Sequence, residues 1–462
     1  LEGDFAPLSE EYTLTDLEID GTIPDHLDGR YLRNGPNPIG EIDPELYHWF
    51  TGDGMVHGIR IRDGKAEWYR NRWVRPARAG MFSIGANTNV VGHAGKTLAL
   101  IEGGLANYEL TDDLDTVGVC DFDGTLSGGY TAHPKRDPET GELHAVSYSF
   151  QRGNTVQYSV IDDNGRARRT VDIEVGGSPM MHDFSLTEKH VVFYDLPCTF
   201  DARQAAEMTA PRALRLPVRL MLSALIGRVR IPDPITARQP SPKGSDRRLP
   251  YSWNPKYPAR VGVMPREGTN ADVRWFDIEP CYVFHPMNAY DEGDTIVLDV
   301  VRHPKMFDTD HLGPNEGPPT LDRWTVDLAD GKVRESRFDD RGQEFPRIDE
   351  RLVGKRHRYG YAPGLEDATG TGNLYKHDLV GSNTQQRSFG PEKALGEFVF
   401  HPSSADAAED DGVLMGYVYD RSTDRSELAI LDAQTLQDVA SVKLPHRVPA
   451  GFHGNWVPSS SS

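Results

Sequence analysis

Short runs of apolar and β-branched residues recur along the whole chain, each bounded by Gly, Asp, Asn or Pro. Residues 96–104 (KTLALIEGG), 141–150 (GELHAVSYSF), 189–197 (KHVVFYDLP), 294–303 (DTIVLDVVRH) and 412–420 (GVLMGYVYD) show the pattern. Such runs predict strands. The triplets RDG (62–64), DNG (163–165) and ADG (329–331) are hairpin signals. The stretch GDGMVHG at 52–58 predicts a further tight hairpin, with His57 in a structural role. The spacing of amphipathic helices is nearly absent. Many short strands leave many edges, and radial repetition in a propeller removes them. Seven blades would divide 462 residues into about 66 each, roomier than the common ~40–45-residue blade repeat. No clean repeat emerges, so pattern alone leaves a pair of sandwiches open beside a propeller.

One segment departs from the strand pattern. Residues 203–231 mix Leu, Met, Ile and Val with six arginines and a single acid, Glu207, giving a local charge of +5. A helical lid packed on the core is one reading. An amphipathic patch that dips into a lipid surface is the other. The stretch 231–250 that follows, with five prolines, predicts an irregular loop.

Overall charge adds an exclusion. Fifty basic against seventy acidic residues give −20, which repels nucleic acid. Cys120, Cys198 and Cys281 stand far apart with no CxxC pair, so neither a disulfide framework nor a zinc knuckle is expected. No run of 18 apolar residues exists. The acidic start LEGDFAPLSEEY lacks the apolar stretch of a signal peptide, and a cytoplasmic protein is expected. AEDDG at 408–412 lacks the alternating ligands of a calcium loop and reads as an acidic turn. Asp53 and Asp183 read as loop anchors rather than acid–base groups.

Four of the sixteen histidines stand out by their small or apolar neighbours. They are His133 in TAHPK, His182 in MMHDF, His285 in VFHPMNAY and His453 in GFHGNW, separated by 49, 103 and 168 residues. They would come from four separate units, and in a propeller the inner strands of different blades converge on one axis. The spacing itself says little, and His303, His357 and His401 look similar in isolation.

The chain resembles the carotenoid cleavage oxygenase family. The matching segments include GRYLRNGPNP (29–38), HWFTGDGMVHGIRI (48–61), ANTNVVGHAGKTLALIEGG (86–104) and AHPKRDPETGE (132–142). They continue with MMHDFSLTEKHVVFYDLP (180–197), FHPMNAYDEGD (284–294), EFPRID (344–349), GEFVFHPSSADAAEDDGV (396–413) and GFHGNWVP (451–458). The resemblance implies one all-β domain over residues 1–462: a seven-bladed propeller under a dome of loops and helices, with 199–258 as an inserted lid. It implies one ferrous iron held by His133, His182, His285 and His453. Glu102, Glu344 and Glu397 would stand behind three of those histidines. Thr88, in ANTNV, matches a threonine that can lean over an open iron position.

The expected reaction is cleavage of a carotenoid or apocarotenoid double bond by O2 into two carbonyl fragments. Neutral imidazoles suit Fe(II), and a carboxylate behind three of the rings would fix their tautomers and offset buried positive charge. Stilbene-cleaving members carry a lysine directly before the first of the three glutamates. Ile101 stands there in this chain. An aliphatic side chain cannot bind a phenol by hydrogen bonding, so an apolar polyene is the better substrate. Stilbene cleavage is the alternative, followed by a retinoid isomerohydrolase and a non-enzymatic binding propeller. No protein partner is indicated.

Overall fold

Asp63 and Gly64 adopt φ of 50° and 67°, the geometry of a two-residue hairpin turn. They join strand Gly54–Arg62 to Lys65–Trp73. Gly165 and Gly331, at φ 79° and 70°, close the next two expected turns, between Thr155–Ile161 and Ala167–Glu174 and between Thr320–Asp327 and Lys332–Asp339. The expected strands form at Lys96–Leu100, Leu143–Ser147, His190–Asp195, Thr295–His303 and Gly412–Asp420. Residues 52–58, however, are not a hairpin. Gly54 opens a nine-residue strand, and its glycine serves close packing, since a Cβ there would lie 2.1 Å from the Ala86 carbonyl oxygen. His57 is structural: it is buried, and its Nδ1 meets the Tyr69 hydroxyl at 2.9 Å.

The computed structural model describes every residue except 41, 77–83, 232–246, 315, 367–368 and 460–462. The hairpins stack into seven antiparallel blades around one axis, the propeller arrangement. Strand Gly454–Pro458 near the carboxyl end pairs with Gly29–Pro36 near the amino end. Strand Glu18–Gly21 pairs with Asp438–Lys443 in the neighbouring blade. The ring is therefore locked twice by strands from opposite ends of the chain, and its first and last blades leave no open seam.

Burial follows position within a blade. The inner strand Tyr282–Glu292 is buried through its first nine residues, whereas Ala167–Glu174 on an outer edge alternates exposed with half-buried positions. Large side chains such as Trp324, Phe193 and Tyr158 fill the space between blades. Each contributes roughly 1.5–3 kcal/mol of burial.

One excursion leaves this frame. Cys198–Phe200 pairs antiparallel with Tyr251–Trp253 and carries two helices, α1 (Ala202–Thr209) and α2 (Arg215–Leu225). Asp201 caps α1 by accepting hydrogen bonds from the backbone N–H groups of Arg203 and Gln204. No residue of α2 is buried, and Leu216 and Leu220 stand 64% and 62% exposed. Most of the expected loop at 231–250 lies outside the described residues. No described helix is long and apolar enough to cross a membrane. Cys198 and Cys281 are buried free thiols, and Cys120 is half-buried.

Candidate metal centre

Each of the four histidines sits at the innermost strand of its blade. His133 and His182 lie two residues before the inner segments Lys135–Arg136 and Phe184–Leu186, and His453 immediately precedes Gly454–Pro458. His285 lies inside Tyr282–Glu292, followed by Pro286. Proline cannot donate to the ladder, and the register shifts on both sides of it, between Val283 and Pro286 and between Pro286 and Asn288. The bulge turns His285 out of regular pairing and towards the axis.

The result is a ring of four buried imidazoles whose facing nitrogens all lie within 4.8 Å of one another. Three of them are braced from behind. His182 Nδ1 donates to Glu102 Oε1 at 2.8 Å, His285 Nδ1 to Glu344 Oε2 at 2.6 Å, and His453 Nδ1 to Glu397 Oε1 at 2.9 Å. A carboxylate at Nδ1 holds the hydrogen there and leaves the Nε2 lone pair bare. His182 Nε2 and His285 Nε2 then face each other at 3.2 Å, and His133 Nε2 is buried with no hydrogen-bond partner. A proton shared by His182 and His285 would satisfy that pair and still leave His133 unmet. One cation among the four satisfies them together. The residues fit a metal, and an all-imidazole donor set suits iron, zinc, copper or nickel.

The electrostatics agree. Burial, reinforced by the neighbouring histidines, holds His133 well below the usual imidazole value and so keeps it neutral. Burial also lowers His285 to about 4, the Glu344 carboxylate offsetting only part of that effect. For His182 burial lowers the value, but the adjacent Glu102 carboxylate more than restores it. Burial works against ionisation of Glu344, yet His285 and His303 outweigh it and hold the carboxyl well below the usual range. Glu397, likewise buried, is held at about 2 chiefly by Arg347 and His453.

An apolar cavity of about 630 Å³ opens onto His182, His285 and His453, with Trp49, Phe50, Ile101, Phe284 and Phe452 in its walls. That is the size of a small-molecule site. Ile101 is buried in this wall. Thr88 also lines the cavity; its hydroxyl donates to Asn87 Oδ1 at 2.9 Å, and its carbonyl accepts from the His453 backbone N–H at 3.0 Å. Asp53 ties a loop by accepting from Ile39 N–H and Arg247, matching its expected anchoring role.

Further contributors join through the fold; His303 resembles the four histidines in its sequence surroundings, while Tyr148 and Arg347 carry no local signal. Tyr148 donates to Glu102 Oε1 at 2.9 Å, and His303 Nε2 donates to Glu344 Oε1 at 2.8 Å. Arg347 lies 3.4 Å from Glu397. Phe345, next to Glu344, adopts φ of 53° and stacks on His285 at 5.3 Å. A non-glycine residue in that left-handed conformation costs about 1 kcal/mol or more, and here it hands its own N–H to the Glu344 carboxylate. Asp183, expected only to anchor a loop, pairs with Lys135 at 2.8 Å and lies 3.7 Å from His133 Nδ1.

A family model described as retinal pigment epithelial membrane protein matches residues 5–458. A "Carotenoid cleavage oxygenase" of Mycobacterium tuberculosis (strain ATCC 25618 / H37Rv) is 59% identical, spanning 100% of this chain and 97% of the relative. The crystal structure of Pseudomonas brassicacearum lignostilbene dioxygenase superposes with a TM-score of 0.83 at 27% identity, covering 99% of this chain and 98% of that one. That of cobalt-substituted Synechocystis apocarotenoid oxygenase gives 0.80 at 26% identity, with the same coverage.

Proposed function

This chain belongs to the carotenoid oxygenase family, that of the retinal pigment epithelial membrane protein, and from there we propose that it is an iron(II) dioxygenase cleaving a double bond of a carotenoid or apocarotenoid. One alkene C=C bond breaks, two C=O bonds form, and both atoms of O2 enter the two aldehyde products. The observation that carries this reading is the ring of four buried imidazoles, three backed by carboxylates, at the end of an apolar cavity.

His133, His182, His285 and His453 would hold the iron, and Glu102, Glu344 and Glu397 would fix three of their rings. Ferrous iron, when bound, supplies the one-electron chemistry that O2 needs to react with a closed-shell alkene. The rest falls to the protein. Phe50, Phe284 and Phe452 pack edge to face, with ring centroids 5.7 and 5.4 Å apart, and wall the centre off from bulk water. The same aromatic faces suit a flat polyene, which they would hold by stacking and burial rather than by hydrogen bonds. Ile101 contributes an apolar contact where a phenol-binding group would need a charge. Thr88 would lean over the open side of the iron.

The whole chain would act as one domain with 199–258 as its lid. A polyene is insoluble in water, and the exposed leucines of α2, interleaved with Arg215 and Arg219, support peripheral contact with the membrane that stores it.

Iron-loaded protein incubated in detergent with apocarotenals and with hydroxystilbenes tests the reading. Two aldehydes from the polyene, none under argon, are expected. Aldehydes from hydroxystilbenes alone would reject the substrate class. Turnover without oxygen would reject the dioxygenase in favour of an isomerohydrolase, and no turnover of any of them would favour a binding propeller.

A further inference from the structure

The four imidazoles form a partition between two cavities of opposite character. The apolar one touches His182, His285 and His453 but not His133. On the other side a small cavity of about 100 Å³ touches His133, His285 and His453 but not His182. That volume accommodates several waters.

Its walls are polar and charged. Asn89, Lys135, Asp183, Arg347, Glu350 and Asn455 line it, and Glu397 closes its inner end. The charges form two files, each running from an exposed residue to a buried one. In one, the half-exposed Glu350 pairs with Arg347 at 3.0 Å, and Arg347 reaches the buried Glu397 at 3.4 Å. In the other, Lys135 with 22% of its side chain exposed pairs at 2.8 Å with Asp183, which is 2% exposed. The same Asp183 oxygen lies 3.7 Å from His133 Nδ1. His133, 5% exposed and with Nε2 unpartnered, stands where this file meets the ring.

A hydrated dication crossing the apolar cavity would pass walls that are mostly aromatic and aliphatic, where lost water ligands find few replacements, a cost of several kcal/mol or more. The polar cavity has room for only about three waters and also strips part of the shell, but the oxygens of Asn89, Asp183 and Asn455 stand in its walls to take their place. We propose that it is the passage by which a divalent metal ion, exchanging waters for the oxygens of the wall, reaches the histidine ring, and that the Lys135–Asp183 ion pair is its gate. This rests on the metal-centre reading above. Lys135 has a flexible stem and a partly solvated head, so it can swing into water and leave the Asp183 carboxylate free. That carboxylate then offers the entering ion an oxygen ligand one step before His133. Lys135 repels the ion, and Asp183 attracts it.

The test is the rate at which chelator-stripped protein takes up Co²⁺, followed by growth of the cobalt visible absorption band. Lys135→Met should load roughly tenfold faster than wild type and Asp183→Asn roughly tenfold slower, the range typical of one charge steering an ion into a cleft. Lys135→Arg, which keeps the charge, should load at the wild-type rate. Filling the apolar cavity with a long-chain detergent should leave the rate unchanged. All forms should finish with one cobalt per chain and the same spectrum. If Asp183→Asn does not fold, Lys135→Met carries the test, because its ammonium is partly solvated.

Rates for Lys135→Met within twofold of wild type, or loading that detergent slows, would overturn the passage. Wild-type protein that binds no cobalt would overturn the metal centre itself.

Discussion

Replacing Glu344 by Gln and Glu102 by Gln should weaken metal binding to different extents, and the hydrogen bonds say why. Glu344 has no spare capacity. Its Oε2 accepts from His285 Nδ1 at 2.6 Å and from the Phe345 N–H, and its Oε1 accepts from His303 Nε2 at 2.8 Å. A glutamine offers only one acceptor oxygen. Whichever way its amide turns, an NH2 group meets a buried donor, and His285 or His303 must give up its tautomer or its place. Losing such a carboxylate costs roughly 10–100-fold in metal affinity. At 1.36 kcal/mol per factor of ten, that is about 1.4–2.7 kcal/mol.

Glu102 is different. Both of its donors, His182 Nδ1 and the Tyr148 hydroxyl, meet Oε1, while Oε2 is buried with no hydrogen-bond partner. A glutamine with its carbonyl in the Oε1 place keeps both bonds and loses only the charge, so Glu102→Gln should cost less than roughly tenfold. Anaerobic competition between each protein and a ferrous chelator measures both numbers. An equal or larger loss for Glu102→Gln would refute the reasoning, because bracing of the rings would then not depend on the hydrogen bonds described.

Three further outcomes follow from the same structure. Ile101→Lys should reduce polyene cleavage at least roughly tenfold, since a buried ammonium without a partner costs several kcal/mol, and steady-state assays with an apocarotenal check it; unchanged kcat/KM would place Ile101 outside the substrate's path. Leu216→Glu with Leu220→Glu should weaken sedimentation with anionic vesicles at least tenfold, each exposed leucine having about 1.5–3 kcal/mol to lose, whereas unchanged binding would remove α2 from the membrane contact. Glu397 is held at about 2 against an ordinary 4.5, so its contribution is complete above pH 4.5 and disappears as the pH falls towards 2. Metal-free protein should therefore lose up to about 3 kcal/mol across that window in chemical denaturation, and a Glu397→Gln variant should lose less; parallel curves would contradict the assignment.

The strands were legible because strand and turn chemistry is local. Asp63-Gly64 and the apolar run at 96–100 announce themselves within a few residues. GDGMVHG misled for the same reason. Gly54 has the look of a turn residue, but it is small so that the backbone at Ala86, more than thirty residues away, can approach. The seven-fold ring could not be read from pattern, since the blades share no repeat and the closure pairs residues 29–36 with residues near 455.

The histidines stood out only by their small and apolar neighbours, and the family resemblance rather than their spacing joined them. Their supports carry still less signal. Tyr148, Arg347 and Lys135 are ordinary residues until folding brings them to Glu102, Glu397 and Asp183, and His303, which looks like a ligand in isolation, meets Glu344 instead. A hydrogen bond across forty or more residues leaves no mark on either neighbourhood. The pairing of Asp183 with Lys135, forty-eight residues apart, belongs to the same class.

The central claim is that a single iron sits among His133, His182, His285 and His453. Anomalous diffraction at the iron edge from anaerobically loaded crystals tests it most directly. One peak per chain, within bonding distance of all four histidines, is the predicted result. A peak bound elsewhere, or none at full iron saturation, would contradict it.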